Sequence, residues 1–80
     1  MEGSVKVSLE VTLDQIDQAI MGIFKNSPSR YFSAYQIRTL LEYSGIEIGY
    51  GTLAFKLHVL SILSLIAVEK TSRHAKYKLS

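Results

Sequence analysis

The sequence predicts an α+β domain: three helices, a C-terminal β-hairpin and a possible extra strand at the N-terminus. Three observations predict it. Apolar residues recur at helical spacing in three separate segments. Two of those segments open on a capping-box pattern, in which two side chains satisfy the orphan amides of a helix start. Residues 65–80 instead pair a β-branched apolar run, Leu65–Val68, with an alternating one, Lys76–Leu79, around a polar turn.

The elements follow in order. Val5, Val7, Leu9 and Val11 alternate with Lys6, Ser8 and Glu10. Period two gives a strand one apolar face, able to pair within the domain or across a dimer. Thr12 and Gln15 match the capping box and Asp14 and Asp17 suit the positive end of a helix dipole. Ile16, Ala19, Ile20, Ile23 and Phe24 then share a helix face, until Asn26, Ser27 and Pro28 stop it. The first helix is expected over about 13–26.

Arg30, Tyr31 and Phe32 read as a short extended piece. Ser33 and Gln36 form the second capping box, and Ile37, Leu40 and Leu41 line one face of a helix over about 34–44. Gly45 stands where a C-terminal cap belongs. Ile46–Ile48 is an extended connector, and Gly49 and Gly51 allow a sharp entry into the next element. There Leu53, Leu57, Leu60 and Ser64 are spaced four, three and four apart, the buried stripe of a third helix over about 51–63. In the hairpin, Ile66, Val68, Tyr77 and Leu79 are the inward candidates, the lysines point outward, and Thr71–His74 form the turn.

Composition excludes several classes. Eighty residues hold one small domain with a marginal core, so oligomerisation is expected. With 48% hydrophobic and 20% charged residues, the chain is not disordered by composition. The absence of cysteine removes disulfides, thiolate zinc sites and a cysteine nucleophile together. The N-terminus lacks the apolar run of a signal peptide. The longest apolar-rich run, Leu57–Val68, is too short to span a bilayer. A soluble cytoplasmic protein with no membrane partner is expected.

Charge is unevenly placed. Residues 1–28 set Lys6 and Lys25 against Glu2, Glu10, Asp14 and Asp17, a balance of −2. Residues 65–80 set Lys70, Arg73, Lys76 and Lys78 against Glu69, a balance of +3. A basic C-terminus on an otherwise near-neutral chain marks a nucleic-acid contact. No enzyme is expected. Asp14 and Asp17 are helix-start charges, Gly49 and Gly51 lack the rest of a nucleotide fingerprint, and no serine–histidine spacing suggests a triad. The five tyrosines are scattered along the chain and are expected to serve packing.

The close succession of the second and third helices is what a helix-turn-helix needs. With Phe32-Ser33-x-x-Gln36-Ile37-x-x-Leu40-Leu41, Ile48-x-x-x-Thr52-Leu53-x-x-x-Leu57-x-x-Leu60 and Leu65-Ile66, residues 13–80 resemble the winged helix-turn-helix family of DNA-binding domains. The likeness is nearest to the N-terminal domains of ferric-uptake-type and similar small regulators. Two positions depart from the family pattern. Ser64 stands where glycine is usual, and Phe55 stands where relatives often carry arginine. Nothing resembles the metal sites of ferric-uptake regulators, since His58 and His74 sit on different elements.

The resemblance implies a domain at 12–80, preceded by an N-terminal strand or arm at 1–11. It implies a transcriptional regulator that binds double-stranded DNA, with the third helix in the major groove and a basic wing, residues 69–78, on the backbone or in the minor groove. The candidate contacts are Tyr50, Thr52, Ala54, Phe55, Lys56 and His58 on the helix and Lys70, Arg73, His74, Lys76 and Lys78 on the wing. Arg38 is a backbone contact from the second helix. A homodimer through the N-terminal strand and first helix is expected, with no cofactor and no small-molecule effector. The rival reading is a winged-helix protein-interaction module within a larger assembly, favoured by the apolar third helix and opposed by the basic wing.

Overall fold

A computed structural model describes residues 13–71 and 73–80. The expected strand at 5–11 lies outside the described residues. The element order is α1 (Gln15–Asn26), β1 (Phe32–Ser33), α2 (Ala34–Tyr43), α3 (Tyr50–Ile62), β2 (Ile66–Lys70) and β3 (Ala75–Leu79).

The capping box of α1 is built two residues later than the sequence suggests. Asp14, not Thr12, is the N-cap, and Asp17 is the reciprocal partner. The Asp17 amide donates to Asp14 Oδ1 at 2.8 Å, and the Asp14 amide donates to Asp17 Oδ2 at 3.2 Å. A carboxylate accepts as well as a hydroxyl and adds favourable charge at the dipole's positive end, so the later register wins. The box of α2 is the expected one, with the Gln36 amide donating to Ser33 Oγ at 3.1 Å and the Ser33 amide to Gln36 Oε1 at 2.9 Å.

Helices α2 and α3 end alike. The Gly45 amide donates to Glu42 O and the Ile46 amide to Leu41 O, both at 2.9 Å. The Ser64 amide donates to Ser61 O and the Leu65 amide to Leu60 O, both at 3.0 Å. Each is a Schellman turn, which needs a left-handed residue just past the helix. Gly45 takes it at φ 85° and Ser64 at φ 62°. Ser64 therefore does not continue the buried stripe of α3, as its spacing suggests, but turns the chain into β2.

The three strands form one antiparallel sheet in the order β1–β3–β2. Phe32 pairs with Tyr77, and β2 pairs with β3 from Ile66 opposite Leu79 to Lys70 opposite Ala75. The core lies between helices and sheet and is fully apolar: Ile20, Met21, Phe24, Phe32, Ile37, Leu41, Ile48, Leu53, Leu57, Leu60 and Ile66. Phe24 and Phe32 meet edge to face, with ring centroids 5.7 Å apart. Each such side chain contributes about 1.5–3 kcal/mol by leaving water. Two expected core residues are outside it. Val68 is 45% exposed because only the first residue of β2 is buried against the core, and Leu40 sits at the rim of a surface cleft.

Candidate nucleic-acid interface

The link between α2 and α3 sets how α3 is presented. It is held at one end by the Gly45 turn and at the other by Arg38. Arg38 Nε donates to the Ile48 carbonyl at 2.9 Å, and the guanidinium lies 4.5 Å from the Tyr50 ring centre. It also faces Glu42 at 3.8 Å, one turn along α2. Tyr50 also stacks on Tyr35, centroids 6.5 Å apart and planes within 15°. The Arg38 guanidinium and the Tyr35 ring thus hold the first residue of α3 to α2.

The middle of α3 is held by ion pairs. Lys56 Nζ donates to Asp14 Oδ2 at 2.8 Å and to Asp17 Oδ1 at 3.2 Å. Each aspartate gives one oxygen to the α1 cap and the other to Lys56. The Lys56 side chain is only 16% exposed. Its ammonium beside Asp14, helped by the Asp17 amide, holds the Asp14 carboxyl down to about 2 from 3.8. Hydrogen bonding to Asp14 in turn raises the Lys56 pKa. Lys56, one of the candidate contacts of the third helix, is engaged by α1, because two carboxylates 39 and 42 residues away in sequence converge on it.

Leu53, Leu57 and Leu60 are buried, so α3 turns Tyr50, Thr52, Ala54, Phe55, His58 and Ile62 outward. Phe55 is 67% exposed. Along the wing, Lys70, Arg73, His74 and Lys76 are exposed. Its tip is closed by Thr71, whose amide and hydroxyl both donate to the His74 carbonyl, at 2.8 and 3.1 Å. The register sets Glu69 opposite Lys76, which tempers that lysine's charge. Lys78 differs from the other wing cations. It is half-buried, with its ammonium 6.0 Å from the Tyr31 ring centre.

The tyrosines do not pack as their scatter suggests. Tyr31, Tyr35, Tyr43 and Tyr50 are exposed, and only Tyr77 packs against the core. Tyr35 is the functional candidate the sequence did not reveal. Besides stacking on Tyr50, it lines a groove of about 560 Å³ with Ser33, Arg73, His74, Lys76 and Tyr77. The start of α3, the start of α2 and the wing tip therefore form one continuous surface. A partner spacing of 15 residues, neither helical nor strand-like, carries no local signal of that stack.

Among the described residues, no three of His, Asp and Glu converge as a metal site, and no helix is long and apolar enough to cross a membrane. No protein-family model and no curated protein matches the sequence. Solved structures do match. The ferric uptake regulator of Francisella tularensis with iron superposes with a TM-score of 0.80 at 18% identity, over 89% of this chain and 55% of that one. The Vibrio cholerae ferric uptake regulator, whose DNA-binding domains are described as rearranged, gives 0.74 at 20%, over 99% and 60%. RosR of H. salinarum gives 0.70 at 23%, over 85% and 61%. The chain thus spans between 55% and 61% of these structures. Three helices, a Schellman-turned α2–α3 link, a three-stranded antiparallel sheet and these superpositions agree: the chain has the winged helix-turn-helix fold.

Proposed function

We propose that this chain binds double-stranded DNA and acts as a transcriptional regulator. In this reading α3 enters the major groove through Tyr50, Thr52, Ala54, Phe55 and His58. The wing, 69–78, follows the backbone or enters the minor groove. The observation that carries the reading is the continuous surface through Tyr35, which joins the start of α3 to Arg73, His74 and Lys76. A helix presented beside a basic hairpin is the geometry that fits a groove and its flanking phosphates at once. Regulators among the fold neighbours add support.

Arg38 and Lys56 act differently from the wing cations in this reading. Arg38 positions α3 through Ile48 and Tyr50, and Lys56 sets its tilt through Asp14 and Asp17. A homodimer through α1 and residues 1–11 would place two copies of α3 about one helical turn apart on a palindromic site.

The test is fluorescence anisotropy with random-sequence duplex at about 50 and about 200 mM salt, where phosphate contacts make affinity fall steeply. Micromolar binding at low salt, lost at higher salt and lost in the R73E/K76E variant, is the expected result. No binding at low salt would refute the reading and turn attention to a protein partner for the apolar face of α3. Unchanged affinity in the charge-reversed variant would remove the wing from the interface.

A further inference from the structure

Resting on the DNA-binding reading, we infer that α3 recognises thymine through its C5-methyl group, and that Phe55 is the residue that reads it. Base edges in the major groove present distinct chemistry. Guanine offers two acceptors suited to Arg or Lys, adenine an acceptor and donor suited to Asn or Gln, and cytosine a donor suited to Asp or Glu. Thymine alone adds a methyl group. The sequence of α3, YGTLAFKLHVLSI, contains no Arg, Asn, Gln, Asp or Glu. Its one lysine is withdrawn into the pair of aspartates on α1.

Of the polar side chains that remain, Ser61 is committed, its hydroxyl donating to the His58 carbonyl at 2.7 Å; Tyr50, Thr52 and His58 offer single polar groups and no bidentate fork for guanine or adenine. What α3 turns outward is an apolar stripe. Phe55 and Ile62 are 67% and 65% exposed, with His58 between them, at the i, i+3, i+7 spacing of one helix face. Phe55 lies in the N-terminal half of the helix, the part that reaches base edges in this docking geometry. The basic wing beside it supplies the charge complementarity that selects DNA as the occupant. Against a thymine methyl, the Phe55 ring leaves water; against the other three base edges it would bury polar groups without partners.

The experiment compares a short alternating adenine–thymine duplex with the same duplex carrying uracil for thymine, which deletes only the methyl. Anisotropy is measured on the full chain and on F55A. The exposure of Phe55 leaves the fold of that variant intact, which a thermal melt checks. Uracil should weaken binding by about fourfold for each methyl buried, from roughly 0.8 kcal/mol per buried carbon. F55A should bind both duplexes alike and keep its salt dependence. Equal affinity of the unaltered chain for the two duplexes would overturn the inference and leave DNA binding standing. A uracil effect that survives in F55A would also overturn it, because the methyl would then be felt elsewhere or through duplex shape. No binding to either duplex at low salt would remove the DNA-binding reading itself.

Discussion

Ser64 holds a conformation that costs an L-residue free energy, and glycine would relieve it. Its φ is 62°, in the left-handed region, where the Schellman turn after α3 requires it to be. Left-handed backbone costs a residue with a Cβ roughly 1–2 kcal/mol. Glycine escapes that cost but loses about 0.4–1 kcal/mol through the greater freedom of the unfolded chain. The difference spans about 0–1.6 kcal/mol and predicts that S64G is more stable by about 0.8 kcal/mol at its centre. In a domain of this size that raises the melting temperature by roughly 2–8 °C. The assay is a thermal melt followed by circular dichroism, with a urea titration to check that the slope is unchanged. Gly45 supplies the mirror test. It takes the same turn position at φ 85°, and a Cβ there would touch nothing within 4 Å, so G45A isolates the backbone cost. It should lose about 1 kcal/mol. If S64G is neutral or destabilised while G45A falls as expected, the strain argument at Ser64 is wrong and its side chain must support the turn.

Removing Arg38 should loosen the entry to α3: R38A loses the bond to the partly buried Ile48 carbonyl, and about 1–2 kcal/mol of stability in urea denaturation. Its amide signals at Ile48 and Tyr50 should exchange faster with solvent, whereas a phosphate-only role would leave them unmoved. Acid should weaken the tether between α1 and α3. The Asp14 carboxyl is depressed in the folded chain, so its contribution is present above pH 4 and disappears as pH falls towards about 2. In K56M the Asp14 carboxyl signal should titrate at higher pH, and the stability loss between those values should flatten. A carboxyl that titrates unchanged in K56M would show that the α1 amides alone hold it down.

Locally encoded elements were legible and convergent ones were not. The helices are read from Ile20 and Phe24, from Ile37 and Leu41, and from Leu53, Leu57 and Leu60, because a 3.6-residue period survives whatever packs against it. The helix start at Asp14 was mislocated because Thr12–Gln15 and Asp14–Asp17 both satisfy one spacing rule. The carboxylates' charge at the helix start, and Lys56 opposite them in the fold, together favour the later one. β1 is two residues long, too short to show alternation. Val68 has the right period to face inward, but period says which side a residue takes and not whether anything covers that side. At the candidate interface, the exposed residues of α3 and the wing follow from the elements' own pattern. The withdrawal of Lys56 and the Tyr35–Tyr50 stack depend on contacts between distant segments and leave no mark on either.

The sheet order also sets a sequence of events in time. β1 and β2 do not bond to each other; both bond to β3, the last of the described strands. The three helices all precede β2 and β3 in sequence, so they can begin to associate before any of this sheet is paired. Phe32 waits for Tyr77, a partner 45 residues downstream, and Ile66 waits for Leu79. Sheet closure is therefore expected to be the late step of folding, because Phe32 and Tyr77 must close a long loop. Until Ala75–Leu79 dock, β2 keeps its backbone groups unpaired along the apolar run Ile66–Val68, and Glu69 and Lys70 are the charges that oppose pairing between unfolded copies there.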